Sequence, residues 1–409
     1  MPAQVITSNA VTSNAVTSNV VTLNAGSSSV KFALFECAAI GPRLLASGQV
    51  KGLDAAEPSV ESRTPDGAAP PRIAPGADGD AHAGAIRAIL DGLCGWRGGL
   101  RIGAIGHRVV HGGLDYASPV VLDDAVVERL RALAPLAPLH QPHNLAGIDA
   151  ARAAFPGVPQ VACFDTAFHR GHDFAQDAYA LPRAYYERGL RRFGFHGLSY
   201  EFVARRLREI APDLAEGRVV VAHLGAGASM CAMRAGRSVA TTMGFSALDG
   251  LPMGTRCGRV DPGLLLYLLS HDGLTPERLS HLLYEESGLL GLSGLTSDMR
   301  ALEASSDPRA KDAIDCFVLR ARLEIGALAA ALGGLDALVF TAGIGENSPR
   351  VRAEIVEGLG WLGVWLDPAA NRRHAQIVSP PGAPVAALVI PTDEEATIAR
   401  HAIEAVRLA

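Results

Sequence analysis

The sequence predicts an α/β protein made of two closely apposed domains. Its 409 residues exceed what one ordinary hydrophobic core accommodates. Short β-prone runs alternate with stretches of helical periodicity, the pattern of α/β architecture. Three of the β runs end in turns of glycine and serine.

The elements follow in order. TSNAV at 7–11 repeats at 12–16, and TSNVV follows at 17–21. A five-residue period matches neither a strand nor a helix, so residues 1–19 read as a disordered or tag-like extension. From Val20, two β runs at 20–23 and 30–35 flank a small-residue turn at 24–29, which predicts a β-hairpin. Residues 54–80 are rich in Pro, Gly, Asp and Ala and read as a surface loop. A helix is expected over 83–93 and a short buried strand over 102–105. Strands are expected at 219–224 and 336–341, each running into a glycine turn, with helices at 200–210, 263–270 and 311–332. No clean linker interrupts the chain, so the domains should share a cleft.

Composition removes several classes of function. A formal net charge of −5 gives no support for a nucleic-acid or anionic-membrane partner. The longest apolar run, 325–340, contains Asp336 and a glycine pair and is too short to span a bilayer. No basic segment followed by an apolar one opens the chain, so export is not expected. The six cysteines, at 37, 94, 163, 231, 257 and 316, form no CxxC pair, which suits reduced thiols in a cytoplasm. No cage of metal ligands is visible, so a metal should arrive with a substrate.

The glycine turns carry the first functional signal. They read NAGSSSVK at 24–31, HLGAGAS at 223–229 and GIGEN at 343–347. Glycine permits close backbone approach, and successive turn N–H groups make anion-binding nests. None fits the P-loop pattern, and no GxGxxG opens a predicted helix. The arrangement instead suggests the duplicated actin-like ATPase design, with two hairpin loops on phosphates and a third on the nucleoside.

At this point the chain resembles the acetate kinase family. LNAGSSSVKFALFE at 23–36 is similar to the family's opening signature. GHRVVHGG at 106–113, FDTAFH at 164–169, RRFGFHG at 191–197, MGTRCGRVDPG at 253–263, SDMR at 297–300, GIGEN at 343–347 and PTDEEATIAR at 391–400 follow in family order. The resemblance implies two actin-like (ribonuclease H-like) domains, each with a βββαβαβα core, and an active site between them. It places domain I at 20–167, with 391–409 returning to it, and domain II at 168–390. It also implies a homodimer and reversible transfer of the ATP γ-phosphoryl group to acetate, with Mg²⁺ (or Mn²⁺).

Site residues carry over by position. Acetate is already ionised near neutral pH, so the site needs positive charge and in-line positioning rather than a general base. Arg108 would bind the carboxylate and the transferring group, and Arg256 would stabilise the transition state. His140 and His196 would donate N–H groups to the phosphoryl oxygens. The family's acid/base position falls on Asp165, which on physical grounds would rather orient an arginine or a Mg²⁺-bound water. Asn24 and Glu394 carry over as the metal-linked pair; Glu395 stays open as an alternative. The apolar acetate pocket falls on Val110, Leu139, Phe195 and Ala247. Ser27, Ser29 and Lys31 form the first phosphate loop. His223, Leu224, Gly225, Ala226 and Gly227 form the second. Asp298, Met299 and Arg300, with Gly343, Ile344, Gly345, Glu346 and Asn347, complete the ATP site.

Four positions depart from the usual family pattern. Ala226 replaces an Asn, which should weaken nucleotide binding. Cys257 and Arg259 replace Ser and Asp, and Ala247 replaces a Pro, leaving more room for a longer acid. A propionate kinase shares every motif quoted, because apolar pockets discriminate poorly against one methylene. An actin-like ATP-binding protein without a small acceptor is a further alternative, disfavoured by the second anion site.

Overall fold

The computed structural model describes residues 19–26, 28–38, 41–53, 55, 58–74, 81–98 and 100–408. The pentapeptide repeat up to residue 18, and Ser27 of the first glycine turn, lie outside the described residues.

Strands β1 (Asn19–Ala25) and β2 (Ser29–Ala38) form the expected hairpin, with Val20 opposite Phe35 and Asn24 opposite Lys31. Strand β3 (Gly41–Lys51) continues the antiparallel meander. Strand β4 (Ser59–Arg63) lies inside the segment read as a surface loop and pairs with β3. Its single apolar residue, Val60, sits opposite Val50. Backbone pairing at a sheet edge needs no apolar alternation, so the sequence showed no period there.

Strand β5 (Ile102–Val109) runs parallel to β1, and β7 (Gln160–Phe164) runs parallel to β5. The short β6 (Val120–Val121) closes the far edge, giving the order β4-β3-β2-β1-β5-β7-β6. The second sheet contains β8 (Arg218–Leu224), β9 (Ala228–Arg234), β10 (Arg237–Thr241), β11 (Ala337–Thr341) and β12 (Ala386–Val389). Its order is β10-β9-β8-β11-β12. Leaving aside the edge strands β4 and β6, both sheets share one plan: three antiparallel strands, then two parallel to the first. This is the duplicated α/β fold the glycine turns suggested.

Each sheet is covered on both faces. The helix Pro308–Leu332 lays Ile314, Phe317 and Ile325 on Val220, Met230 and Phe340. It begins where the Asp307 side chain accepts from Arg309 N and ends at Gly333 with φ 70°, the usual cap chemistry. On the other face Tyr200, Val203 and Leu207 of the helix Gly197–Ile210 meet Val219 and Val339. The C-terminal helix, Glu394–Leu408, returns to the first sheet and packs Ile398, Ala399 and Ala402 on Val20, Phe35 and Val161. A Cβ on Gly106 would stand 2.5 Å from Ile398 Cγ2, so only glycine allows that seat. Among the described residues no helix is long and apolar enough to cross a membrane.

Parallel pairing decides where the site lies. Because β1, β5 and β7 point the same way, Asn24, Arg108 and Asp165 emerge along one edge. Open α/β sheets bind ligands at that carboxyl edge. The parallel strands β8, β11 and β12 likewise deliver the turns at 225–227, 342–347 and 390–393.

Candidate active site

Arg108 and Asp165 make a two-pronged ion pair at the ends of β5 and β7. Nη2 donates to Asp165 Oδ2 at 2.6 Å and Nε donates to Oδ1 at 3.0 Å. The carboxylate is 1% exposed. Glu394 Oε2 lies 3.8 Å from Arg108 Nε, and Nη1 donates to Asn24 Oδ1 at 3.5 Å. Burial opposes the charge of Arg108, but the Asp165 and Glu394 carboxylates outweigh it and raise its pKa.

Arg256 is differently supplied. Its Nη1 donates to Ala247 O at 3.3 Å, and its Nη2 lies 3.4 Å from His140 Nε2. None of the ion pairs among the described residues supplies it with a carboxylate. Burial, with the like charge of Arg108, pushes its pKa down, the mark of a cation lacking an anion. Its loop is held rigidly: Met253 N donates to Arg256 O at 3.0 Å and Gly254 N donates to Ala226 O at 3.0 Å. Gly288, at φ 62°, passes so close that a Cβ would meet Met253 O at 2.2 Å.

Two histidines complete the cluster. His140 opens the helix Gln141–Ala154, and burial followed by Arg256 and Arg108 lowers its pKa to about 4. His196 adopts φ 58° just before the helix Gly197–Ile210. Gly197 N donates to Asp165 O at 2.8 Å, which ties this bend to the Arg108–Asp165 pair. His196 stacks on His223 at 4.2 Å between ring centroids, and its Nδ1 lies 2.8 Å from Ser229 Oγ. Burial, then the neighbouring positive groups, pushes the His196 pKa well down, so the ring is neutral.

A cavity of about 680 Å³ opens beside this cluster. Its walls include Gly225 and Ala226, Asp298, Met299 and Arg300, and Gly343, Ile344 and Asn347. Three separate segments named from sequence thus converge. Residues 342–347, expected as a turn, form a short helix, Ala342–Asn347. Ala342 starts it at φ 65°, held by the Glu346 carboxylate, which accepts from Ala342 N at 2.8 Å and Thr392 N at 3.1 Å. Glu346 is therefore engaged with backbone. Leu224 is fully buried, and Gly345 O accepts from Arg352 Nη1 at 2.8 Å.

The remaining predicted residues distribute unevenly. Val110 and Phe195 are buried in one cluster against which Ala247 packs, while Leu139 is 39% exposed. Gly227 faces both His196 and Arg256. Ser29 O closes the first turn by accepting from Gly26 N at 2.8 Å. Lys31 lines a separate cavity with Thr392, Asp393 and Glu395 rather than the one beside Ala226. Asn144 was not singled out from the sequence, yet it bridges the ends of β1 and β5. It accepts from Val110 N at 2.9 Å and donates to Ala25 O at 2.8 Å. Tyr200 carried no visible signal, because a tyrosine on a helix is an ordinary core residue, and Ser229 appeared only as the last residue of the turn at 223–229.

A duplicated actin-like fold, with one arginine at a strand end and a second on a facing loop beside a nucleotide-sized cavity, defines a phosphotransferase. The Acetokinase family is matched over residues 19–400, and the chain belongs to it. The acetate kinase of Nitrobacter hamburgensis is 54% identical over 393 residues, covering 93% of this chain and 94% of its own. The crystal structure of Porphyromonas gingivalis acetate kinase superposes with a TM-score of 0.85 at 36% identity, covering 95% of this chain and 100% of that one. A propionate kinase structure from Francisella tularensis gives 0.88 at 34% identity, with 95% and 99% coverage.

Proposed function

We propose that the protein reversibly transfers the γ-phosphoryl group of ATP to acetate, by direct in-line displacement between its two sheets. The observation that carries the reading is Arg256, a half-buried cation with no carboxylate partner among the described residues, set near the Arg108–Asp165 pair. Such a pair of cations brings two anions together, which is what a carboxylate attacking a phosphoryl group requires.

In this reading ATP occupies the cavity lined by Ala226, Asp298 and Gly343. Acetate sits against Val110, Phe195 and Ala247. Arg108, steadied by Asp165, holds the carboxylate, and the attacking oxygen needs no base because it is already ionised. Arg256, His140 and His196 bear on the equatorial oxygens as charge redistributes. Asn24 and Glu394 flank Arg108 with oxygen donors only, a set that fits a hard cation otherwise held by water and phosphate. Bound there, Mg²⁺ would screen the phosphate charge from the incoming carboxylate.

Domain I would comprise residues 20–167, with 391–409 returning to it, and domain II residues 168–390. A homodimer is supported by the helix Pro262–Ser270, which exposes Leu264, Leu266 and Tyr267 and buries none of its residues. Apolar surface of that kind marks an interface. A cytoplasmic setting is supported by six cysteines that all remain free.

The reading is tested by incubating purified protein with Mg-ATP, hydroxylamine and acetate, propionate or butyrate. Acyl phosphate trapped most strongly from acetate supports it. Propionate ahead would reassign the acceptor, and no trapped product from any acid would overturn the transfer.

A further inference from the structure

We infer that Tyr200 and Ser229 are positioning residues that fix the His196 proton on Nε2 and present that N–H to the anion in the cleft. The inference rests on the reading of His196 as a phosphoryl donor. It goes beyond it by assigning the tautomer and the groups that set it.

The argument follows the hydrogens. Tyr200 and Ser229 are fully buried, and the Tyr200 hydroxyl lies 2.5 Å from Ser229 Oγ, its one hydrogen-bond partner among the described residues. A buried phenol must place its proton on an acceptor. Tyr200 therefore donates to Ser229, and burial pushes its pKa well up, so it remains a donor at all working pH values. Ser229 Oγ then has its own proton for its second neighbour, His196 Nδ1, 2.8 Å away. A nitrogen that accepts carries no proton, and a neutral imidazole must hold its hydrogen on the other nitrogen.

The ring is placed to use that hydrogen. Nε2 points toward Gly227, where a Cβ would stand 3.3 Å from Nε2 and 3.7 Å from Arg256 Nη1. The glycine thus leaves open the space on which the His196 N–H and the Arg256 guanidinium converge. A parallel arrangement orders the stacked partner: Thr392 Oγ1 donates to Ser199 Oγ at 2.8 Å, which leaves the Ser199 proton for His223 Nδ1 at 2.8 Å. Both stacked rings are thereby set as Nε2–H donors, whereas free imidazoles exchange tautomers. Preset donors avoid reorganisation as charge moves in the transition state.

Neutron diffraction from deuterated crystals reads the assignment directly: deuterium on His196 Nε2 and none on Nδ1. The kinetic counterpart is Tyr200→Phe, which keeps the packed ring and frees the Ser229 hydroxyl to reverse. Its kcat should fall about tenfold with the KM for Mg-ATP and acetate nearly unchanged, short of the ~10²-fold or greater loss expected on removing a transition-state donor outright. Ser229→Ala should behave similarly, which guards against misfolding of one variant. Deuterium on Nδ1, or Tyr200→Phe and Ser229→Ala both at full kcat, would overturn the proposal. Deuterium on Nε2 together with a fully active His196→Gln would instead remove the phosphoryl role while leaving the tautomer assignment standing.

Discussion

The Arg108 guanidinium meets the Asp165 carboxylate along its Nε–Nη2 edge, with Nη2 2.6 Å from Oδ2. Its remaining nitrogen, Nη1, is directed at Asn24. The carboxylate thus fixes which edge of the arginine is left for a substrate. This geometry supports reading Asp165 as the group that aims Arg108, the orienting role proposed for it.

We predict that Asp165→Asn lowers kcat by about 10²-fold, because misplacing a positioning group costs that much. The pH dependence of the remaining activity should keep its wild-type shape, since no proton is handled by Asp165. A displaced limb in the pH profile would show acid/base participation and refute this. The variant should also lose stability, by up to about 3–5 kcal/mol, because Arg108 keeps only the more distant Glu394 carboxylate; a urea titration measures it.

Acid should unfold the protein through its buried histidines. Burial is the main cause that lowers His107, His111 and His223 to about 4 and His169 to about 3, with Arg170 and Arg108 adding to the effect at His111 and His223. In the unfolded chain each ring titrates near ~6.5. Between those values only the unfolded state binds the proton. The stabilising contribution is therefore complete above about pH 6.5 and is lost as pH falls toward 4. At pH 5 each ring should cost about 2 kcal/mol. Unfolding midpoints at pH 7.5 and 5.0 measure this; equal midpoints would contradict neutral buried rings.

Ala226→Asn should tighten nucleotide binding. Position 226 is exposed on the cavity wall, and its backbone oxygen already anchors Gly254. The new amide adds a hydrogen bond worth about 0.5–1.5 kcal/mol, or roughly 2- to 12-fold in the KM for ATP. The acetate KM should not move. Steady-state titration of ATP at saturating acetate checks it, and an unchanged ATP KM would remove the Ala226 departure as a cause of weak binding.

Leu266→Glu should produce monomers. Leu266 is 66% exposed on a helix that buries none of its residues, and a charge there opposes association through that face. Light scattering would show the mass of one chain instead of two. A dimer that persists in this variant would place the interface elsewhere.

Much of the fold was legible because local chemistry and tertiary need agreed. The β1–β2 hairpin announced itself through two β runs around a glycine-serine turn, and most of the helix Pro308–Leu332 through its period over 311–332. Strand β4 was not legible, since an edge strand held by backbone pairing needs no apolar pattern. The helix Ala342–Asn347 was hidden for a different reason: its glycines favour a turn, and the Glu346 carboxylate overrides them by binding Ala342 N.

Sequence alone determined the residue types of the site and their order, because arginine forks, neutral histidines and glycine turns are chemical requirements that leave short motifs. What it could not determine is which groups touch. Arg108 and Asp165 lie 57 positions apart and are joined because β5 and β7 run parallel. Asn144 ties Ala25 to Val110 from a helix behind the sheet. The proton arrangement on His196 depends on Ser229, a residue on another element. Side-chain identity is written along the chain, whereas hydrogen-bond direction and the pairing of buried charges are properties of surroundings that exist only after distant segments pack.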